Sequence, residues 1–460
     1  MQFKLSNSTF IYKHNVLLYA LLGCFAYGYI SYFLVRSEFY QLVVLVALLF
    51  FISYILIAKS QLKFEQLFFL SIIYRLIFLF SIPNLSQDFF RFFWDGQLTL
   101  QGINPYVENV LYYFSTNRIE HINQADILRQ GMGELNAGHF SNYPPLSQYI
   151  YAVCAWFAKS SILGFIISIR LVLISFDLLF IKYASKLLQR FKLDPRKLFW
   201  YILNPLCIIE ITGNLHLEGV MISFFLIAFY YFLKHKTILS ALFLSLSIST
   251  KLLSLVFLPI LLKYYSKKFK PLKAIKKIVY FVFFTIVFLV MQFAFFYEDK
   301  FFNNFLETIG LWFGKFEFNA SIFYLIRWIG YQLVGWNIIQ TYGWIMPIVS
   351  VLIFVLIIYK QQSKPAKMLE TFMWMLTVYF LLSTTVHPWY ILFPLALSVF
   401  TKYSFVYLWS FLVFLSYFAY KTTEVTESMG LLTLQYAILV AYMLFEISSK
   451  RNANTPKLEA

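Results

Sequence analysis

Apolar residues in this chain fall in long blocks of roughly 18 to 22 rather than in alternation, and a block of that length as a helix matches a ~30 Å hydrocarbon layer. The blocks predict spans at 15–35, 40–58, 64–82, 278–296, 340–359, 368–386 and 403–420, with returns at 388–401 and 429–447. A barrel would need alternating strands of ~10 residues, a pattern this sequence lacks. The expectation is an all-α, polytopic integral membrane protein of about 12–14 transmembrane helices. It forms one membrane domain over 1–460, with no strong repeat and no soluble domain.

Polar interruptions refine the picture. Basic loops mark the cytoplasmic side, which predicts an inside N-terminus beginning with Lys4, Lys13 and His14. A large outer loop follows over 83–142, and a second outer segment over 297–338. The outer loop holds six of the 21 acids, Asp88, Asp95, Glu108, Glu120, Asp126 and Glu134, against Arg91, Arg118 and Arg129. Its aromatic content predicts folded, amphipathic short helices. Residues 143–159 are expected to be interfacial or partly inserted behind the tandem prolines of YPPLSQ, and 161–181 to cross. Arg170 and Asp177, seven apart on one helix face, predict an ion pair or a bundle-facing polar pair. Two hairpins with short arms are expected, one with its apex at 213–219 and one at Ser249, Thr250 and Lys251, each apex in a recess. Residues 450–460 are read as a cytoplasmic tail.

Composition narrows function. The chain is 60% hydrophobic, 22% aromatic and 13% charged, with a formal charge of +17. Its basic residues sit in short clusters between apolar runs, so they read as cytoplasmic loops and not as a nucleic-acid surface. Cys24, Cys154 and Cys207 all lie within apolar runs and carry no disulfide or metal spacing. The first apolar run is full length and lacks a small-residue cleavage site, which predicts a retained helix.

In such a chain the chemistry is sought where charge clusters beside a span. Residues 86–106, SQDFFRFFWDGQLTLQGINPY, place Asp88, Arg91 and Asp95 directly after the third span. Under the expected topology His216 and Glu218 come to the same side from one apex, Lys251 from the other, Arg327 from the second outer segment, and His387 from the turn HPWY. Taken singly, each is an ordinary solvated acid, a snorkelling cation or a turn residue; their convergence is the signal. No phosphate-binding glycine loop, dinucleotide fingerprint, HExxH, serine elbow or CxxC is present. What remains suits a carboxylate that activates an acceptor hydroxyl beside cations that steady a departing lipid phosphate.

The block DFFRFFWDG, followed by GINPY and YPPLSQ, resembles the first-loop pattern of the membrane-integral GT-C glycosyltransferases. The likeness is to polyprenyl- or dolichyl-phosphate-mannose-dependent mannosyltransferases, such as the catalytic subunit of the first GPI mannosyltransferase, and to bacterial relatives. NPLCIIEITGNLHLEG, STKL, FNASIFYLIR and HPWY resemble later blocks of that group, so the likeness spans roughly residues 64–400. The resemblance implies a catalytic acid at Asp88 and a supporting acid at Asp95. Many relatives carry D-x-D where this chain has Asp88, Phe89 and Phe90. That departure leaves a divalent metal open and makes a single base, with no cofactor, the simpler expectation.

The resulting expectation is an inverting glycosyltransferase that moves a sugar, by resemblance mannose, from a polyprenyl- or dolichyl-phosphate donor to a glycan or lipid acceptor. Asp88 is the base; Arg91, Asp95, Tyr143, His216, Glu218, Lys251, Arg327 and His387 are expected to bind substrate. The expected location is a bacterial inner membrane, with both termini cytoplasmic. Two alternatives stand: a lipid or solute transporter or flippase, which would call for inverted repeats, and a non-catalytic subunit that keeps the fold without the base.

Overall fold

The computed structural model describes residues 15–362 and 364–454. The N-terminal Lys4, Lys13 and His14, and residues 455–460 of the expected tail, lie outside the described residues. The chain is helical throughout, and among the described residues the one extended pairing is an isolated bridge between Phe318 and Thr385.

In chain order the α-helices of six or more residues among the described residues are α1 (Val16–Tyr32), α2 (Phe39–Tyr54), α3 (Phe64–Leu76), α4 (Asp88–Leu100), α5 (Val110–Ser115), α6 (Ala125–Ala137), α7 (Pro145–Ala158) and α8 (Ile162–Arg190). They continue with α9 (Glu218–Leu233), α10 (Thr237–Thr250), α11 (Leu258–Lys268), α12 (Pro271–Phe293), α13 (Phe301–Gly314) and α14 (Ile322–Val334). The last are α15 (Ile339–Lys360), α16 (Pro365–Leu382), α17 (Leu392–Ser398), α18 (Phe405–Leu412) and α19 (Met429–Asn454).

Among the described residues five helical stretches are long and apolar enough to cross a bilayer: Phe39–Lys59, Ile162–Arg190, Pro271–Phe296, Ile339–Lys360 and Met429–Lys450. One further pair, Pro205–Gly213 and Glu218–Leu233, is long and apolar enough only when taken together and is bent by 111°, the shape of a broken span or a re-entrant loop around the expected apex at 213–219. The remaining apolar blocks form shorter helices, Val16–Tyr32 and Thr237–Thr250 among them. The protein is therefore a multi-pass membrane protein. Outward faces carry bare aliphatic and aromatic side chains, for example Leu17, Phe25, Val279, Phe283, Val351 and Val355, as lipid contact requires.

The stretch expected as an outer loop, 83–142, contains α4, α5 and α6, and the second, 297–338, contains α13 and α14. Residues 143–159 yield α7, which starts at Pro145 after an extended Pro144, as a proline at the first helical position allows. α7 packs on α4, and Phe92 stacks on Tyr151 with ring centroids 4.6 Å apart. The two backbones meet at Gly96, where a Cβ would stand 2.5 Å from the Tyr151 carbonyl oxygen. Only glycine fits that approach.

Arg170 and Asp177 face the bundle together but do not pair with each other. Asp177 accepts from Arg75 Nε of α3 at 2.6 Å, with both groups buried. Arg170, fully buried, donates only to backbone carbonyls: Leu79 (3.2 Å), Ser81, Thr212 (2.9 Å) and Gly213 (3.1 Å). It thus clamps the turn after α3 to the break before α9. An ion pair at i, i+7 requires two side chains about 10 Å apart along the axis to reach each other; each instead reaches a neighbouring segment.

Candidate active site

The two segments held by Arg170 each deliver a polar residue to one place. The turn after α3 leads to Ser86 and to Asp88, the first residue of α4, where the helix N-terminus favours a carboxylate. The break before α9 delivers His216. Its Nε2 lies 3.5 Å from Asp88 Oδ2 and 3.5 Å from Ser86 Oγ. Its Nδ1 lies 3.2 Å from Glu210 Oε2. Glu210 is fully buried in the π-helical turn Ile208–Gly213, accepts from Tyr417 Oη at 2.5 Å and from Asn214 Nδ2 at 2.9 Å, and so cannot swing away. The result is a file of carboxylate, imidazole and carboxylate, anchored at its inner end.

The outer end is open. The Asp88 side chain is 27% exposed, whereas Asp95 is fully enclosed. Burial pushes the Asp88 carboxyl up, but the hydrogen bond and charge of His216, with the charge of Lys251 beyond it, outweigh that and hold it below the ordinary carboxylate range. Asp88 is therefore ionised at neutral pH.

Glu218 opens α9 and binds Lys251, which sits in extended backbone between α10 and the 3-10 turn Leu252–Phe257. Glu218 is buried, and among the described residues its Oε2 has no hydrogen-bond partner. Trp389 lies on the His216 ring at 3.8 Å between centroids and stacks on His387 at 4.4 Å, nearly parallel. Burial pushes His387 down to about 3. Tyr143 packs edge-on to Phe92 at 5.0 Å, and its carbonyl accepts from Tyr106 Oη at 2.5 Å. Burial and the charge of Asp88 push its phenol well above the usual value.

The structure thus gathers Asp88, His216, Glu218, Lys251 and His387 into one cluster, with Tyr143 at its edge. Arg91 and Asp95 are turned into the interior of the outer loop. Arg91 Nε donates to Asp95 Oδ1 at 2.7 Å and its Nη1 to the carbonyls of Asn136 and His139; Asp95 Oδ2 also accepts from Ser141 and Gln148. With those bonds made and almost no exposed surface, this pair fastens α4 to the rest of the loop. Arg327 pairs with Glu317 and lies over the Tyr324 ring, in a separate group with Glu427.

Two residues of the site were not singled out from sequence. Glu210 had a readable signal, an acid in the apolar run IIEIT. Arg36 had almost none, because an arginine at the end of a first span looks like a snorkelling cation. Its guanidinium lies 3.4 Å from the centroid of the Tyr420 ring, its Nε is buried without a hydrogen-bond partner among the described residues, and its charge acts on His387 with those of Asp88, His216 and Lys251. Among the described residues no group of three or more His, Cys, Asp or Glu has a metal-binding arrangement.

An ionised, part-exposed carboxylate backed by a fixed imidazole, beside two cations and an unpaired buried acceptor, can take a proton from a hydroxyl and hold an anion nearby. No curated protein and no solved structure is matched by the chain. A family model does match over residues 15–266, more than half of the 460, and it describes the N-terminal domain of alpha-(1->6)-mannopyranosyltransferase. The matched stretch contains Arg36, Asp88, Glu210, His216, Glu218 and Lys251, and on its strength the chain belongs to the MptA_B family, as a multi-pass membrane mannosyltransferase.

Proposed function

We propose that the protein transfers mannose from a polyprenyl-phosphate donor to a glycan or lipid acceptor with inversion at C1, and that Asp88 is the base. The observation that carries this reading is the placement of Asp88. It is the exposed end of the Glu210, His216, Asp88 file and is held as a carboxylate next to Lys251.

The acceptor oxygen attacks C1 on the face opposite the phosphate. The bond from C1 to the phosphate oxygen breaks, and its electron pair leaves with the polyprenyl phosphate. The acceptor proton passes to a carboxylate oxygen of Asp88. A carboxylate of lowered basicity suffices, because C1 carries positive charge early and the incoming hydroxyl becomes acidic as the new bond forms. Lys251 and Arg36 hold the departing phosphate, which needs no acid because it leaves as a stable anion. Glu218 Oε2 is available to accept from a sugar hydroxyl. Asp88 acts alone, without a divalent metal. The chain lies in a bacterial inner membrane with both termini cytoplasmic, a placement that reporter fusions at each end test directly.

The decisive assay follows radiolabelled mannose from polyprenyl-phosphate-mannose in washed membranes carrying wild type or Asp88→Asn. The variant is expected to lose about 10²–10⁴-fold in rate, and wild type to keep its rate in EDTA. Full transfer by the variant removes Asp88 as base, loss in EDTA removes the metal-free mechanism, and failure of wild type with this donor removes the donor.

A further inference from the structure

At the other end of α9, one helix length of about 24 Å from Glu218, the chain builds a concave site that the transfer reaction does not use. It is a cavity of about 370 Å³ lined by Arg190, His235, Tyr264, Lys267, Lys268 and Pro365, with no acid on its walls. We propose that this cavity binds a phosphate-bearing headgroup.

Its cations are partly preorganised. Arg190 is fixed by donating from Nη2 to the Leu233 carbonyl at 3.1 Å, and Lys268 by donating to Tyr264 Oη at 2.9 Å. Each has donors left over, and Lys267 has none committed among the described residues. The first turn of α16, an 18-residue helix, opens at Pro365 and adds the positive end of its dipole to the same wall. Cations at the ends of α8 and α11 also serve to cap those helices. Three of the four helix ends here are C-termini, whose partial negative charge these cations offset, yet the walls carry no acidic side chain and the cations keep donors that the carbonyls do not use.

The surroundings favour a lipid as the source of the phosphate. Ile238, Leu239, Leu262 and Leu272, all within a few residues of the lining, are bare apolar side chains on which acyl chains can lie. Lys263, Lys270, Lys273, Lys276 and Lys277 continue the positive field along α11 and α12, which draws anionic headgroups toward the mouth.

The test uses the full-length protein in neutral detergent with short-chain phosphatidylglycerol, short-chain phosphatidylcholine or inorganic phosphate, and reads affinity by native mass spectrometry and by the shift in unfolding temperature. The paired variant Lys267→Gln/Lys268→Gln is compared with Lys273→Gln/Lys276→Gln, which removes equal charge outside the cavity. Phosphatidylglycerol is expected to bind wild type in preference to phosphatidylcholine, about thirtyfold more weakly to the cavity variant, and only a few-fold more weakly to the control variant, which loses long-range attraction but no lining cation. Competition by millimolar inorganic phosphate would keep the site and assign it a soluble phosphate. Equal losses in both variants, or no preference for the anionic lipid, would overturn the proposal. Unliganded unfolding temperatures show whether either variant is simply misfolded.

Discussion

Asp88 and His216 stand 3.5 Å apart, and the pH profile follows from that pairing. Because the Asp88 carboxyl is held below its ordinary range, the base form is present above the lowered value and is lost only as pH falls through it. The acid limb of kcat/KM is expected below the ordinary carboxylate range, with a flat rate through about pH 5 to 7; an acid limb near pH 6 would assign the proton to another group. Glu210 offers a second handle, since it touches neither Asp88 nor the open side of the site. Glu210→Gln keeps the volume and an acceptor for Tyr417 while removing the charge behind His216. The expected result is a loss of about tenfold in kcat, equal to about 1.4 kcal/mol, with the acid limb moving up toward the ordinary carboxylate value. An unchanged limb would reduce Glu210 to a structural anchor. At this scale the sequence was informative wherever a charge interrupts an apolar run, as at Asp88, His216, Glu218 and Lys251. It was silent about partners. Nothing in the spacing tells that Asp95 closes on Arg91 and Ser141 while Asp88, seven residues earlier, stays open.

Among the elements, α4 matters most because it presents Asp88, and its position is set by contact with α7. Gly96→Ala pushes a methyl group into the Tyr151 backbone, which cannot yield as a side-chain tip can. A loss of about 1–3 kcal/mol in stability is expected, together with reduced transfer as Asp88 shifts. Gly310→Ala is the control: it lies within α13 with no atom within 4 Å of the added Cβ, so alanine should be neutral or stabilising by up to about 1 kcal/mol. Thermal unfolding of both variants in detergent separates them, and equal midpoints would refute the close-approach account. The helical class and the starts of several elements were legible, since Pro145 and Pro365 mark first helical positions and the long apolar blocks became α2, α8, α12 and α15. The role of Arg170 was not. A helical wheel places Arg170 and Asp177 on one face, but it cannot show that the free carbonyls of two irregular segments will surround the one while Arg75 takes the other.

Over the whole molecule, the site draws on residues from Arg36 to Tyr417, so it closes only when distant parts of the sequence have packed. The family match ends at residue 266, yet Trp389, His387 and Tyr417 all stack on or bond to residues within that match or to each other. A chain stopped at residue 404 should therefore have no transfer activity and should be degraded faster than the full-length protein in a pulse-chase experiment. Equal lifetimes would mean that residues up to 404 pack without Tyr417 and the helices that follow.

The 207-residue separation between Glu210 and Tyr417 also sets a clock. At 5–20 residues per second, the ribosome needs roughly 10–40 s after making Glu210 to make the phenol that will satisfy it. For that interval the bent segment carries a carboxylate that lipid cannot solvate. The nascent protein must keep that segment at the insertion machinery, in contact with water, or let it enter protonated and surrender the proton when α18 and the turn after it arrive.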